Sequence, residues 1–81
     1  MEEILITHGQ TWKALDNLAA ANNMSASGLA VRCGLNATTF NKSKRVFSDG
    51  KPRWPSLCTI AKVLNTLHMS VSDFGSFFPA R

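Results

Sequence analysis

The sequence predicts an all-α domain of five short helices. Apolar residues recur at three- and four-residue spacing in successive stretches, the signature of one-faced helices. Ser, Thr or Asn stands before those stretches, where a helix start needs a capping oxygen. No stretch alternates with a period of two, and Val31, Val46 and Val71 are isolated, so no strand is expected. With 81 residues, 44% hydrophobic and 17% charged, residues 1–81 make one folded domain whose small core spans about residues 7–78.

The first helix is expected to start near Thr7 or Gly9 and run to about Asn22, with Trp12, Leu15, Leu18 and Ala19 on its apolar face. Asn22-Asn23 stops it, because Asn competes for backbone hydrogen bonds and tolerates turn geometry. Ser25 caps a second helix through Cys33, with Leu29, Ala30 and Cys33 inward and Gly34 able to take the left-handed conformation that ends it. Leu35 is the apolar residue of the turn, and Asn36 caps a third helix at about 37–45. That helix has Phe40 as its core anchor and is otherwise polar and basic. From Val46 to Pro55 the turn residues Ser48-Asp49-Gly50 and two prolines predict a loop. Ser56 caps a fourth helix with a stripe of Leu57, Ile60, Ala61, Leu64 and Leu67. Ser72-Asp73 caps a fifth, short helix carrying Phe74, Phe77 and Phe78.

Composition narrows the chemistry. No apolar run approaches the roughly 20 residues that span a bilayer. The start, Met1-Glu2-Glu3 followed by Ile4 to Ile6, lacks the basic region and long apolar stretch of an export signal, so a cytoplasmic location is expected. Cys33 and Cys58 are too few and too far apart for a metal knuckle or a disulfide scaffold, and both lie on apolar faces as small core residues. His8 and His68 have no acid or cysteine at ligand spacing, so no metal site is expected. Asp16, Asp49 and Asp73 make no paired-carboxylate arrangement, and no glycine-rich phosphate loop follows a strand. Neither enzymatic activity nor a cofactor is expected.

The net charge of +4 is concentrated: Lys42, Lys44, Arg45, Lys51 and Arg53 lie within twelve residues and only Asp49 opposes them there. Just before this cluster, three features fit a helix-turn-helix formed by the second and third helices. Ala30 is a small residue that lets the helices approach, Gly34 makes the turn, and Phe40 locks the third helix to the core. Such a pair lays its second helix in the major groove while its first crosses the backbone. A basic cluster beside it makes duplex DNA the expected partner.

The segment Ser25-Ala-Ser-Gly-Leu-Ala-Val-Arg-Cys-Gly-Leu-Asn-Ala-Thr-Thr-Phe-Asn-Lys-Ser-Lys-Arg45 resembles the Cro/C1-type (XRE-like) helix-turn-helix. The continuation, Asp49-Gly-Lys-Pro-Arg-Trp-Pro-Ser56 and Ile60-Ala-Lys-Val-Leu64, resembles the DNA-binding head of LexA-like (S24 peptidase) prophage repressors. The resemblance covers about residues 7 to 78 and is most specific at Thr39–Arg45 and Pro52–Pro55. It implies a five-helix lambda-repressor-like head that binds double-stranded operator DNA as a homodimer in the bacterial nucleoid. It also implies a C-terminal dimerisation and peptidase domain, which is missing from this chain, so no residue here is assigned a part in self-cleavage.

On a helix beginning at Ala37, the positions facing base edges are Ala37, Thr38, Asn41 and Lys42. Asn pairs bidentately with adenine, Lys prefers guanine, and Ala or a Thr methyl touches a thymine methyl. Lys44, Arg45, Lys51 and Arg53 are expected on phosphates, as are Ser25 and Ser27 at the start of the second helix. Thr39 points toward phosphate or toward the preceding helix. Trp54 either lids the core and pins the basic loop or lies against the sugar-phosphate backbone; the lid is favoured by the large apolar area of Trp. Trp12 is expected in the core. The competing readings are a protein-interaction or antitoxin-like module using the Phe-rich last helix, and an RNA-binding domain. The RNA reading calls for exposed aromatic rings, for which only Trp54 qualifies.

Overall fold

The computed structural model describes residues 6–79, so the acidic start and Ile4-Leu5, read above as no export signal, lie outside the described residues. Among them the chain is helical and forms no strand. It consists of α1 (His8–Ala21), α2 (Ala26–Arg32), α3 (Leu57–Thr66) and α4 (Val71–Gly75), with one short 3₁₀ element at Lys42–Lys44 between α2 and α3.

Each start has its oxygen in place. The Thr7 hydroxyl accepts from the Gln10 N–H at 3.1 Å, and the Gln10 side chain accepts in return from the Thr7 N–H, closing a capping box on α1. Ser25 and Ser56 accept from the N–H groups of Gly28 and Thr59 at 3.1 and 3.0 Å. The cap of α4 is Ser70, not the expected Ser72-Asp73; Asp73 is the third helical residue and completes a second capping box. Three helices end alike, on a left-handed residue followed by a return bond from the next N–H. Those residues are Asn23 (φ 58°), Gly34 (φ 73°) and His68 (φ 55°). Met24, Leu35 and Met69 then donate to the carbonyls of Ala19, Ala30 and Leu64, each at 2.8 Å. His68 thus serves a helix end.

The expected third helix over residues 37–45 does not form. Its hydrogen bonds all reach back three residues, as in Thr39 N–H to Asn36 O (2.9 Å), Asn41 N–H to Thr38 O (3.0 Å) and Lys44 N–H to Asn41 O (2.9 Å). Asn41 is extended (φ −64°, ψ 150°), so the segment is a tight turn followed by the 3₁₀ element. The reasons are local. Asn36 does cap, but its side-chain oxygen takes both the Thr38 N–H (3.0 Å) and the Thr38 hydroxyl (2.9 Å), and the Thr39 hydroxyl bonds the Asn36 carbonyl (2.7 Å). Short polar side chains here hold the backbone in turns that compete with a helix. A single anchor, Phe40, offers little burial to offset the cost of helix nucleation. Among the described residues, four helices with these turns therefore replace the expected five.

The core joins α1, α2 and α3 around Trp12, Leu15, Leu18, Leu29, Ala30, Phe40 and Val63, with Phe74 of α4 closing one side. Phe40 is 1% exposed and Ala30 fully buried, as their sequence positions predict. On α3 the stripe is rotated from the expected one: Val63 and Leu64 are buried and Ile60 and Leu67 half-buried, while Leu57 is 82% exposed and Ala61 is also exposed. Cys58 is exposed rather than a core residue, whereas Cys33 is buried. Asn17 of α1 donates to the Phe77 carbonyl at 2.9 Å, fastening the C-terminal turn to the first helix.

Replacing Phe40 with Ala should lower unfolding free energy by about 3–5 kcal/mol in urea denaturation. Gly34→Ala should cost only about 1 kcal/mol, because a Cβ there meets no atom within 4 Å and the penalty is the left-handed φ alone.

Candidate nucleic-acid interface

The basic segment after α2 is organised by one of its own members. The Arg45 guanidinium forks onto Asp16 of α1, with Nη1 donating to one carboxylate oxygen at 2.9 Å and Nη2 to the other at 2.7 Å. Nη2 also donates to the Phe40 carbonyl at 3.0 Å, and the guanidinium lies 4.9 Å from the centre of the Trp12 ring. Its side chain is only 15% exposed. Arg45 is therefore a structural residue and not the free phosphate contact expected from sequence: a carboxylate engages both terminal nitrogens and an aromatic face covers its plane. The Phe40 carbonyl, which an α-helix would turn to the Lys44 N–H, accepts from Arg45 instead.

From Arg45 the chain makes a small hairpin. Phe47 N–H donates to Lys51 O at 2.8 Å, Arg53 N–H to Arg45 O at 3.0 Å, and Val46 bridges Pro52. The tip turns at Gly50, whose φ of 85° suits glycine, and Asp49 accepts from the Lys51 N–H at 3.0 Å. The base of the hairpin is held by the start of α1. His8 Nε2 lies 2.7 Å from the Arg45 carbonyl and 3.0 Å from the Arg53 carbonyl, and the Trp12 indole N–H donates to the Arg53 carbonyl at 2.9 Å. The Trp12 indole nitrogen also lies 3.1 Å from His8 Nε2, so this one ring nitrogen sits among two carbonyls and the indole. Nothing in the spacing of His8 revealed this role; it requires knowing that residues 45 and 53 meet beside it.

The clamp leaves the remaining cations outward. Lys42, Lys44 and Arg53 are exposed and form no ion pair among the described residues; Lys51 has only a loose partner, Asp49 at 3.9 Å. Ala37, Thr38, Asn41 and Lys42, the expected base-reading residues, are all exposed, but on turns and not on one helix face. The Ser25 and Ser27 hydroxyls lie 3.3 Å apart at the start of α2, and Thr39 is half-buried, with its hydroxyl turned to the Asn36 carbonyl. Trp54 is 49% exposed, packed edge-to-face on His8 at 5.8 Å, so it does not lid the core: His8 and Trp12 hold the loop instead. Sequence reasoning also missed Phe47, which is 51% exposed on the hairpin with the Arg53 guanidinium over its ring at 5.6 Å.

Between the 36–44 turns, the hairpin and the first turn of α3 lies a cleft of about 300 Å³, lined by Asn36, Thr38, Thr39, Lys44, Arg53, Trp54, Ser56 and Thr59, with Trp12 and Phe40 beneath. This cleft brings together Thr38, Thr39, Phe40, Lys44, Arg53 and Trp54 from the predicted set; Ser25, Ser27, Ala30, Gly34, Ala37, Asn41, Lys42, Arg45 and Lys51 do not line it. A second, apolar groove runs between α3 and α4, lined by Leu57, Ile60, Ala61, Val71 and Phe74 among others. Phe74 itself is buried and Phe77 and Phe78 are half-buried, so the Phe-rich end mostly completes the core. No helix among the described residues is long and apolar enough to cross a membrane. No known protein family, curated protein or solved structure matches this chain.

Arg45→Ala should lower thermal stability by the equivalent of about 2–3 kcal/mol, since it strips a half-buried carboxylate of a charged partner. Lys44→Ala and Arg53→Ala should each stay within about 0.5 kcal/mol of the parent. His8→Ala should speed amide hydrogen exchange at Phe47 and Arg53 while leaving exchange in the middle of α1 unchanged.

Proposed function

We propose that this chain is a sequence-specific double-stranded DNA-binding head of a transcriptional repressor, acting as a homodimer on an inverted repeat. The observation that supports this most is the outward array of Lys42, Lys44, Lys51 and Arg53, on a segment that directly follows a capped helix and a left-handed glycine turn. Among the described residues only one weakly placed carboxylate opposes these cations. Unpaired cations of this density favour a polyanion through release of its counterions.

The element that enters the groove is the pair of turns over residues 36–44. Asn41 and Lys42 carry base preference and Ala37 and Thr38 offer methyl groups to thymine. Lys44, Lys51 and Arg53 hold phosphates, joined by the Ser25 and Ser27 hydroxyls at the start of α2. Arg45 acts on DNA only through the shape it gives this segment.

Selection from random duplex DNA should enrich an inverted repeat with half-sites about one helical turn apart. Binding of one head should fall with salt at a log–log slope of about −3, as the three phosphate-neutralising cations Lys44, Lys51 and Arg53 require. Asn41→Ala should change preference at one base position, while Lys44→Ala should weaken all sequences alike and flatten the salt slope by about 0.9. Absence of any enriched sequence, with weak binding abolished by moderate salt, would reject sequence-specific recognition.

A further inference from the structure

The cleft beside Trp54 is more than a duplex backbone needs. Phosphates of a duplex are held by outward donors on an open surface. A concavity of about 300 Å³ instead falls at the small end of the range for small-molecule sites, about 300–1,000 Å³. Its lining is also divided by chemistry. Lys44 and Arg53 are its cations, and no lining residue is acidic. Ser56, Thr59 and Thr38 supply hydroxyls on the same walls. Trp54 contributes an indole that is 49% exposed and whose orientation is fixed by the edge-to-face contact with His8.

Cationic groups next to an oriented, accessible aromatic ring match one ligand chemistry: a phosphate joined through a sugar to an unpaired base. We propose that this cleft seats a single unpaired nucleoside 5′-phosphate, its phosphate held by Lys44 and Arg53 and its base stacked on Trp54. The walls are preformed, because the Arg45 fork and the His8 clamp fix the turns and the hairpin before any ligand arrives, and a preformed site spares the ligand the cost of ordering it. A free nucleotide and the 5′-end of a single strand carry the same chemistry. The site shares Lys44 and Arg53 with the duplex interface but does not depend on duplex recognition.

The test is a titration of the isotopically labelled chain, followed by backbone amide and indole N–H signals. The probes are adenosine 5′-monophosphate, adenosine, inorganic phosphate, a 5′-phosphorylated single-stranded trinucleotide, and a blunt unphosphorylated duplex. The monophosphate should shift the Trp54 indole and the Thr59 amide and leave the Trp12 indole in place. It should bind at least about fivefold more tightly than adenosine or phosphate alone, and Trp54→Ala should weaken it about fivefold or more, the effect of losing one base–aromatic stack. Lys44→Ala, a change at an exposed side chain, should weaken it while leaving the dispersion of the spectrum unchanged. Shifts produced only by the phosphorylated trinucleotide would identify the strand end as the ligand and equally support the site. If neither shifts the cleft signals, or if inorganic phosphate does so as strongly and Trp54→Ala has no effect, the proposal is overturned. Duplex binding in that event keeps the repressor reading; nucleotide binding without duplex binding removes the repressor reading and keeps the cleft.

Discussion

The Asp16–Arg45 fork is the contact on which the basic side of the molecule depends. Asp16 belongs to a fourteen-residue, well-capped helix whose position is set by the core, so its carboxylate is a fixed point. Arg45 binds that point through two donors and lies on Trp12. From there it governs two segments at once: its side chain takes the Phe40 carbonyl, and its own carbonyl receives the Arg53 N–H and His8 Nε2. A half-buried bidentate pair of this kind is worth more than a surface ion pair because water competes less for it, and planar guanidinium suits it where lysine would not. The arrangement has a cost, since Arg45 Nε is buried with no partner. The other bonds of the same side chain offset it.

That one interaction divides residues of the same type between different tasks. Arg45 and Arg53 are both basic and eight positions apart, yet the first is committed inward and the second outward. The difference arises because the chain crosses α1 at residue 45 and reverses at Gly50. Even there the commitment is reciprocal, because the Arg53 backbone carbonyl serves the clamp while its side chain faces solvent.

Much of the helical frame was legible in the sequence. Ser25 and Ser56 cap where short hydroxyl residues before apolar stripes predict, Gly34 takes the left-handed turn, and Phe40, Ala30 and Trp12 are buried. These features depend on neighbours within one helical turn. What was not legible depends on distant partners. The 37–45 segment has adequate helical punctuation, but its polar side chains satisfy the backbone locally and Arg45 claims a carbonyl the helix would use. The buried stripe on α3 lies a fraction of a turn from the one its apolar spacing predicts, because Leu57 in the first turn is left exposed while Val63 is packed in the core. His8, read alone, had no visible task; Cys58, next to Leu57, shares its exposure.

The clamp has a kinetic side as well. Its bonds join residues 29, 37 and 45 positions apart along the chain, whereas the helices and their caps close over three to five. Closing such long loops is entropically slow and rewards the chain only when both ends are already shaped. These long closures are rewarded only once α1 and α2 have shaped the ends they join. The exposed hairpin can open while Phe40 stays in the core and the helices persist. A polyanion bound across the hairpin would close that opening, so the affinity of this surface and its local lifetime are two readings of one equilibrium.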